Sequence, residues 1–262
     1  RAFADCIRYY RCDSRGVLFP ESLMEIVISP DIFGSHITAF FTGKSPGTDI
    51  EKIAGAASID KQKIYLPIQK HTDKVLVLDS DLSPRIADAV ITNNKGVLLG
   101  VQVADCVPVL LYDAKKNVIG VVHAGWRGTA ASILKKTIET MRERFSSFPD
   151  DIKIAIGPSI RWCCYHVGYD VLESVEKATG NGEYHNPPFP PLRAMAFSKG
   201  GLGGLYCLDL ASANKYQAVS AGIHEKNIWV SEECTYCHPD KYYSYRYAKG
   251  TTGRQGGFIG IL

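Results

Sequence analysis

Three residues able to hold a transition metal fall where apolar runs give way to polar or glycine positions: His71, Cys106 and His123. His71 follows the run at 63–67. Cys106 sits in the break between runs at 96–103 and 108–112, and His123 ends the run at 118–122. Two imidazoles and a thiolate suit zinc, which takes nitrogen and sulfur ligands tetrahedrally. Three protein ligands leave a fourth position open, as in a catalytic site. The same residue types also allow a metal-free arrangement, with Cys106 as nucleophile and His123 as its base. They allow a bland one too, a buried cysteine and two unrelated histidines, since buried cysteines are common. Asp105, beside Cys106, is a candidate proton carrier or ligand-orienting group, and equally a capping aspartate.

His123 also opens a second kind of site. Residues 118–122 read as a buried strand, Gly125 and Gly128 as a sharp turn, and 129–145 as a helix with Ala130, Ile133, Leu134, Ile138, Met141 and Phe145 at near-helical spacing. A strand, a glycine turn and a helix N-terminus can hold an anion on free backbone N–H groups, and Arg127 adds a fixed positive charge there. The alternative is a packed strand-to-helix connection with a surface arginine. The loop at 250–257 lacks the phosphate-loop pattern and its lysine, yet its backbone N–H groups and Arg254 could meet an anion. Cys234 and Cys237 form a CxxC and Cys163-Cys164 an adjacent pair. No second CxxC or CxxH stands at ribbon spacing, so all four are read as structural cysteines. His36, His166, His185, His224 and His238 show no partner pattern.

These groups need elements to position them. Strands are expected at 26–29, 37–42, 63–67, 75–78, 88–92, 96–103, 108–112, 118–122, 152–156, 228–230, 242–245 and 258–262, with an edge piece at 16–20. The runs at 108–112 and 118–122 read as an antiparallel pair. Helices are expected at 49–57 behind Asp49, at 129–145, and at 167–178 with Val171, Leu172 and Val175 inward and Gly180 as cap. A fourth, at 210–221, runs from Asp209 to a stop at Gly222. Residues 181–204, rich in proline and glycine, read as a loop or lid. Strands and helices mix without a βαβ repeat, which predicts a single α+β domain spanning 1–262.

Composition narrows the partners. The 262 residues are 45% hydrophobic and 22% charged, with a formal net charge of +3. That charge is too small to argue for nucleic acid or an anionic membrane surface. No apolar run approaches the roughly 20 residues of a membrane helix, and the mixed, polar stretch 1–12 is not read as a leader. Eight cysteines without repeating spacing read as reduced thiols, which places the chain in the cytoplasm.

Several segments, in order, resemble the YfiH family, which carries the labels laccase domain, polyphenol oxidase and purine nucleoside phosphorylase. They are Gln69-Lys70-His71, Ala104-Asp105-Cys106-Val107-Pro108, His123-Ala124-Gly125-Trp126-Arg127-Gly128, Ile156-Gly157-Pro158-Ser159 and Cys234-Thr235-Tyr236-Cys237. The tail Tyr243-Ser244-Tyr245-Arg246 with Thr252-Gly253-Arg254-Gln255 extends the likeness, which is strongest over 60–262. The resemblance implies an α+β fold of layered mixed β-sheets flanked by helices. It also implies a zinc held by His71, Cys106 and His123, with Gln69, Arg246 and Arg254 toward the substrate. The activity it implies is phosphorolysis of purine nucleosides (adenosine, inosine, methylthioadenosine) with adenosine deamination. Three positions depart from the family pattern. Lys44 stands where an arginine is usual, Tyr247 replaces the second of two arginines, and His166 replaces a glutamate.

The leading expectation is therefore a zinc-dependent phosphorylase and deaminase using a nucleoside and phosphate, with Arg127 as anion contact and Asp105 near the proton chemistry. One rival is a copper-dependent polyphenol oxidase, in which His71, Cys106 and His123 hold copper. Its histidine-built second cluster finds no paired histidine spacing among the seven histidines. The other is a non-catalytic zinc-binding module.

Overall fold

The computed structural model describes residues 28–179 and 206–262 with their side chains, and by backbone pairing alone residues 10–12, 18–20 and 27. The chain opens with β1 (Tyr10–Cys12), β2 (Leu18–Pro20), β3 (Val27–Ile28), β4 (Thr38–Thr42) and the helix α1 (Ile50–Ala57). Next come β5 (Ile64–Tyr65), β6 (Val75–Val77), β7 (Ala89–Thr92), β8 (Leu98–Val103), β9 (Val107–Asp113) and β10 (Val118–Ala124). Two helices follow, α2 (Trp126–Ala130) and α3 (Ile133–Phe145), then β11 (Ile152–Ile156), β12 (His166–Val167) and α4 (Tyr169–Thr179). Beyond residue 205 lie β13 (Tyr206–Cys207), α5 (Leu210–Ser220), β14 (Ile228–Val230) and β15 (Gln255–Gly260). The Gly180 cap and the loop expected at 181–204 lie outside the described residues.

Two sheets carry the fold. One has the order β3-β4-β15-β8-β5 and the other β14-β11-β9-β10-β7-β6, each mostly antiparallel with one or two parallel pairs. Side chains alternate across a strand, so each strand serves two layers. In the five-stranded sheet Phe41, Leu99, Val101 and Ile259 face one way, meeting Leu110, Tyr112, Ile119 and Val121 of the six-stranded sheet. Phe40, Leu98 and Phe258 face the other way, against Ile53 and Ala57 of α1. Val109, Leu111, Val118 and Val122 point to the far side of the six-stranded sheet, where Ile133, Leu134, Leu172, Val175 and Leu210 cover them. The result is an α+β stack of four layers: helix, sheet, sheet, helices. β10 is buried along its whole length, and its near-continuous apolar run, ended by His123, is what burial on both faces requires. No helix among the described residues is long and apolar enough to cross a membrane.

The helix caps follow local chemistry. Asp49 accepts N–H bonds from Glu51 and Lys52 at the start of α1, and Asp209 accepts one from Ser212 at the start of α5. Three expectations fail. The helix expected at 129–145 is two helices, because Ser132 takes a left-handed conformation (φ 59°) that ends the hydrogen-bond ladder of α2. α5 docks on this end of α2: Gln217 donates to the Thr129 carbonyl and Asn214 to its hydroxyl. Residues 242–245 form no strand, since the Gln255 side-chain amide takes the place of a ladder partner, bonding both the N–H and the carbonyl of Tyr243. The helix expected from 167 begins at Tyr169, because His166 and Val167 pair with Tyr206 and Cys207.

Gly100 shows how tightly the outer layer is packed. A Cβ at this position would lie 2.5 Å from the Phe258 ring and 2.7 Å from Leu66. Gly100→Ala is expected to lower stability by about 1–3 kcal/mol through overpacking. A urea unfolding curve checks it, and an unchanged midpoint would show that Phe258 yields freely.

Candidate metal centre

The donor atoms of His71, Cys106 and His123 all lie within 4.8 Å of one another. Cys106 Sγ is 3.9 Å from His71 Nε2, and the two imidazole rings meet edge to face with centroids 4.8 Å apart. Sheet register explains the convergence of residues so far apart in sequence. β10 runs antiparallel to β9 with Ala124 opposite Val107, so the end of one strand meets the start of the other. Cys106 immediately precedes Val107, and His123 immediately precedes Ala124. β7 is antiparallel to β10 as well, so its first residues reach the same end, where the His123 N–H bonds the Asp88 carbonyl at 2.7 Å. The loop carrying His71 leads into β6, the parallel neighbour of β7.

Asp88 organises this end. Its carboxylate is fully buried and accepts from His123 Nδ1 at 2.8 Å. It also accepts the N–H groups of Lys70, His71 and Thr72 and the Thr72 hydroxyl. With Nδ1 committed to the carboxylate, His123 presents Nε2 to a metal. The same bonds hold His71 in a left-handed backbone conformation (φ 57°), which a non-glycine residue adopts only under constraint. Gly125 contributes by absence of bulk. Its φ of −74° is ordinary, but a Cβ there would lie 3.1 Å from both Cys106 Sγ and His71 Cδ2. The glycine expected for its turn is needed for close approach.

Burial alone would push the Cys106 thiol up, but the His123 and His71 imidazoles outweigh it and bring it down to about 6. Burial likewise opposes charge on His123, yet the Cys106 sulfur and Asp88 raise it to about 9. Asp88, which burial would raise, is held well below the usual carboxylate range by His123 and Thr72. The bare cluster thus favours a thiolate beside an imidazolium, and a divalent cation replaces that proton directly. Two nitrogens and a thiolate, one imidazole fixed by a carboxylate, fit zinc, with room for a further ligand on the open side.

The open side is a cleft of about 710 Å³ lined by all three residues and by Arg127, Arg246 and Arg254. The other residues singled out in the sequence take distinct places. Arg127 is exposed, with its guanidinium 4.4 Å from the centre of the Trp126 ring and no hydrogen-bond partner among the described residues. It sits in α2, a helix of five residues. Arg246 donates to the His166 carbonyl, and Arg254 to the carbonyls of Thr252 and Gly253. Gln69 lines the cleft, but its amide is engaged at both ends with the backbone of Gln102. Asp105 is buried with φ 83°, and both its oxygens are occupied, one by the Thr235 hydroxyl and one by the Arg246 N–H, each at 2.7 Å. That arrangement suits a wall support better than a proton carrier. Lys44 lies over the Tyr243 ring and is not among the residues lining the cleft.

The sequence reading missed Asp88, seen there only as the first residue of an apolar run. An acid opening a buried strand was the available signal. It also missed the meeting of Cys163, Cys164, Cys234 and Cys237, whose sulfurs all lie within 4.8 Å of one another. Spacing alone does not reveal this meeting, because the parallel pairing of β11 with β14 rather than a ribbon motif unites the two segments.

Comparison with known proteins gives four likenesses. Residues 47–262 match the family model described as multi-copper polyphenol oxidoreductase laccase. A Geobacillus stearothermophilus protein named purine nucleoside phosphorylase YlmD is 39% identical over 173 residues, covering 66% of this chain but only 59% of that relative's length. A protein from an unknown prokaryotic organism named adenosine deaminase RL5 is 32% identical over 219 residues, 80% of this chain and 78% of its own. The crystal structure of YlmD from Geobacillus stearothermophilus superposes with a TM-score of 0.78 at 29% identity, covering 96% of this chain and 98% of that one.

Replacing the carboxylate tests the role of Asp88. Asp88→Asn keeps the shape but offers an amide N–H toward Nδ1, which favours the imidazole tautomer protonated at the metal-facing nitrogen. Zinc affinity, measured by competition with a chelator, is expected to fall by about 10–100-fold. Unchanged affinity would mean that Asp88 only shapes the loop.

Proposed function

The chain belongs to the multi-copper polyphenol oxidoreductase laccase family, and from that premise we propose that it is a zinc-dependent purine nucleoside phosphorylase with adenosine deaminase activity. The names of its relatives support both halves of the reading. The observation that carries it is a cleft with a nitrogen–sulfur donor set on its floor and three arginines on its walls. A place for a polarising cation and a place for an anion thereby share one volume.

On this reading His71, Cys106 and His123 hold zinc, which supplies a Lewis acid and lowers the pKa of a coordinated water. Arg127 binds phosphate. Its donors have no hydrogen-bond partner among the described residues, whereas Arg246 and Arg254 each bond backbone carbonyls. Arginine presents a planar fork matched to phosphate oxygens. In phosphorolysis a phosphate oxygen bonds the anomeric carbon as the glycosidic C–N bond breaks, and the base leaves with the bonding pair and gains a proton. In deamination a water oxygen adds at the purine C6 and ammonia departs. The contact with the Trp126 ring, 4.4 Å from its centre, restrains the Arg127 guanidinium beside the cleft. Asp105 positions Arg246 rather than carrying a proton. The partners are small molecules, with no nucleic acid or membrane surface involved, and the free thiols suit a reducing cytoplasm.

Copper oxidation finds less support in the side chains. A multi-copper cluster needs further imidazoles near the first three. Among the described residues His36 bonds the Tyr112 hydroxyl, His224 pairs with Asp150 and His238 with Glu233. Neither candidate metal group includes them.

The test is phosphate-dependent release of hypoxanthine from inosine and of ammonia from adenosine by zinc-loaded protein. Both activities are expected, and Cys106→Ser should abolish them while the far-ultraviolet circular dichroism stays unchanged. Phenol oxidation by copper-loaded protein, without inosine turnover, would replace this reading by the oxidase one.

Arg127→Lys separates the anion role from packing. The KM for phosphate should rise by about ten- to a hundredfold, the loss of a charge-assisted hydrogen bond worth about 1.5–3 kcal/mol. Zinc content should hold and deamination should suffer less. An equal loss in both reactions, or in neither, removes Arg127 from the phosphate site.

A further inference from the structure

We propose that Cys163, Cys164, Cys234 and Cys237 form a second cation site, closed and structural, that takes zinc on four thiolates and fastens one wall of the cleft. Cys237 Sγ lies 3.7 Å from Cys163 Sγ and 3.3 Å from Cys164 Sγ. A tetrahedron with zinc–sulfur bonds of about 2.3 Å has sulfur–sulfur edges of about 3.8 Å. A disulfide needs about 2.05 Å. The two separations at Cys237 are near that edge, and all four sulfurs lie within 4.8 Å of one another, as ligands sharing one ion would. The turn through Trp162 to Cys164 lets two adjacent residues aim their sulfurs at the same partner.

The fold delivers these residues together for a reason independent of the first site. β11 and β14 are parallel neighbours, so the loops that follow them leave the sheet at the same end. The loops are stitched by the Thr235 N–H to the Ser159 carbonyl at 3.1 Å, and the Arg161 N–H points at Cys234 Sγ at 3.5 Å. The Arg161 guanidinium is engaged with Asp209 and the Ser231 carbonyl. A cation bound by the four sulfurs would displace the protons of the thiols.

The consequence for the cleft runs through two short links. Thr235 lies within the CxxC and donates to Asp105, whose other oxygen holds the Arg246 N–H. Tyr165, next to Cys164, lines the cleft and lies 5.2 Å beneath the Arg246 guanidinium. A cation on the four sulfurs would thus fix both sides of the wall on which Arg246 stands.

Elemental analysis of the full chain, purified reduced after growth with zinc, decides the matter. Two zinc ions per chain are expected, falling to one in Cys106→Ser and to one in Cys163→Ser or Cys237→Ser. Cobalt replacement gives a second readout. The wild type should show the strong sulfur-to-cobalt charge transfer of a tetrathiolate, kept in Cys106→Ser and lost in Cys237→Ser. Should a cysteine variant fail to fold, the cobalt spectrum of Cys106→Ser still answers, because only the four-sulfur site remains there. No zinc retained by Cys106→Ser, a cobalt spectrum without the tetrathiolate band, or a mass lower by two hydrogens under non-reducing conditions would each overturn the proposal. These counts require no turnover assay, so they stand apart from the phosphorylase reading.

Discussion

The metal end of the molecule depends on one buried carboxylate. Asp88 has no solvent exposure and accepts five hydrogen bonds, four from residues 70–72 and one from His123. A buried charge without partners would cost several kcal/mol. Here donors from two chain segments offset that cost, and in doing so they fix both histidine ligands. One group therefore sets the tautomer of His123 and the unusual backbone of His71 together. Because Asp88 also opens β7, the orientation of the ligands is tied to the core of the six-stranded sheet, where Ala89, Val90 and Ile91 are fully buried.

The second constraint is the crossing between sheets. β8 belongs to the five-stranded sheet and β9 to the six-stranded one, and residues 104–106 carry the chain across. So abrupt a passage forces Asp105 to a positive φ. The carboxylate stabilises the bend by bonding Thr235 and Arg246, which draws two distant loops onto the same spot. Cys106 is then presented at the rim, half-buried and facing His71. Strain at 105 and strain at 71 flank the metal group on either side, and each is held by a carboxylate. Rigid sheets below and short, carboxylate-pinned loops above are how a site built on loops gains precision.

Much of this was legible in the sequence, and the losses are instructive. Apolar runs marked β10, β11 and β14 closely, because strands inside a packed sheet are rich in apolar residues whatever their partners. Asp49 and Asp209 announced their helices through short-range capping. The break at Ser132 was hidden, since apolar spacing continues through it and only the docking of α5 on Thr129 makes the break tolerable. His71, Cys106 and His123 could be named as strand-end residues, but their meeting depends on register, which pairs residues across long separations. The four cysteines were missed for the same cause: parallel pairing of β11 with β14 joins segments about seventy residues apart, beyond any local motif.

Charge ties the two halves of the cleft together. With a divalent cation on the three ligands, the Cys106 thiolate and the Asp88 carboxylate together match its charge, so the floor becomes close to neutral. The walls do not. Arg127, Arg246 and Arg254 face the cleft, and the one carboxylate among the lining residues, Asp105, is already engaged with Thr235 and the Arg246 backbone. Three guanidinium groups against one carboxylate leave the wall net positive beside a neutral, polarising floor, an arrangement that attracts an anion to the wall. The proposed pair of phosphate and an uncharged nucleoside would meet both surfaces at once. A neutral phenol alone would leave the arginines without a counter-charge, which is the electrostatic argument for the phosphate-dependent reading proposed above.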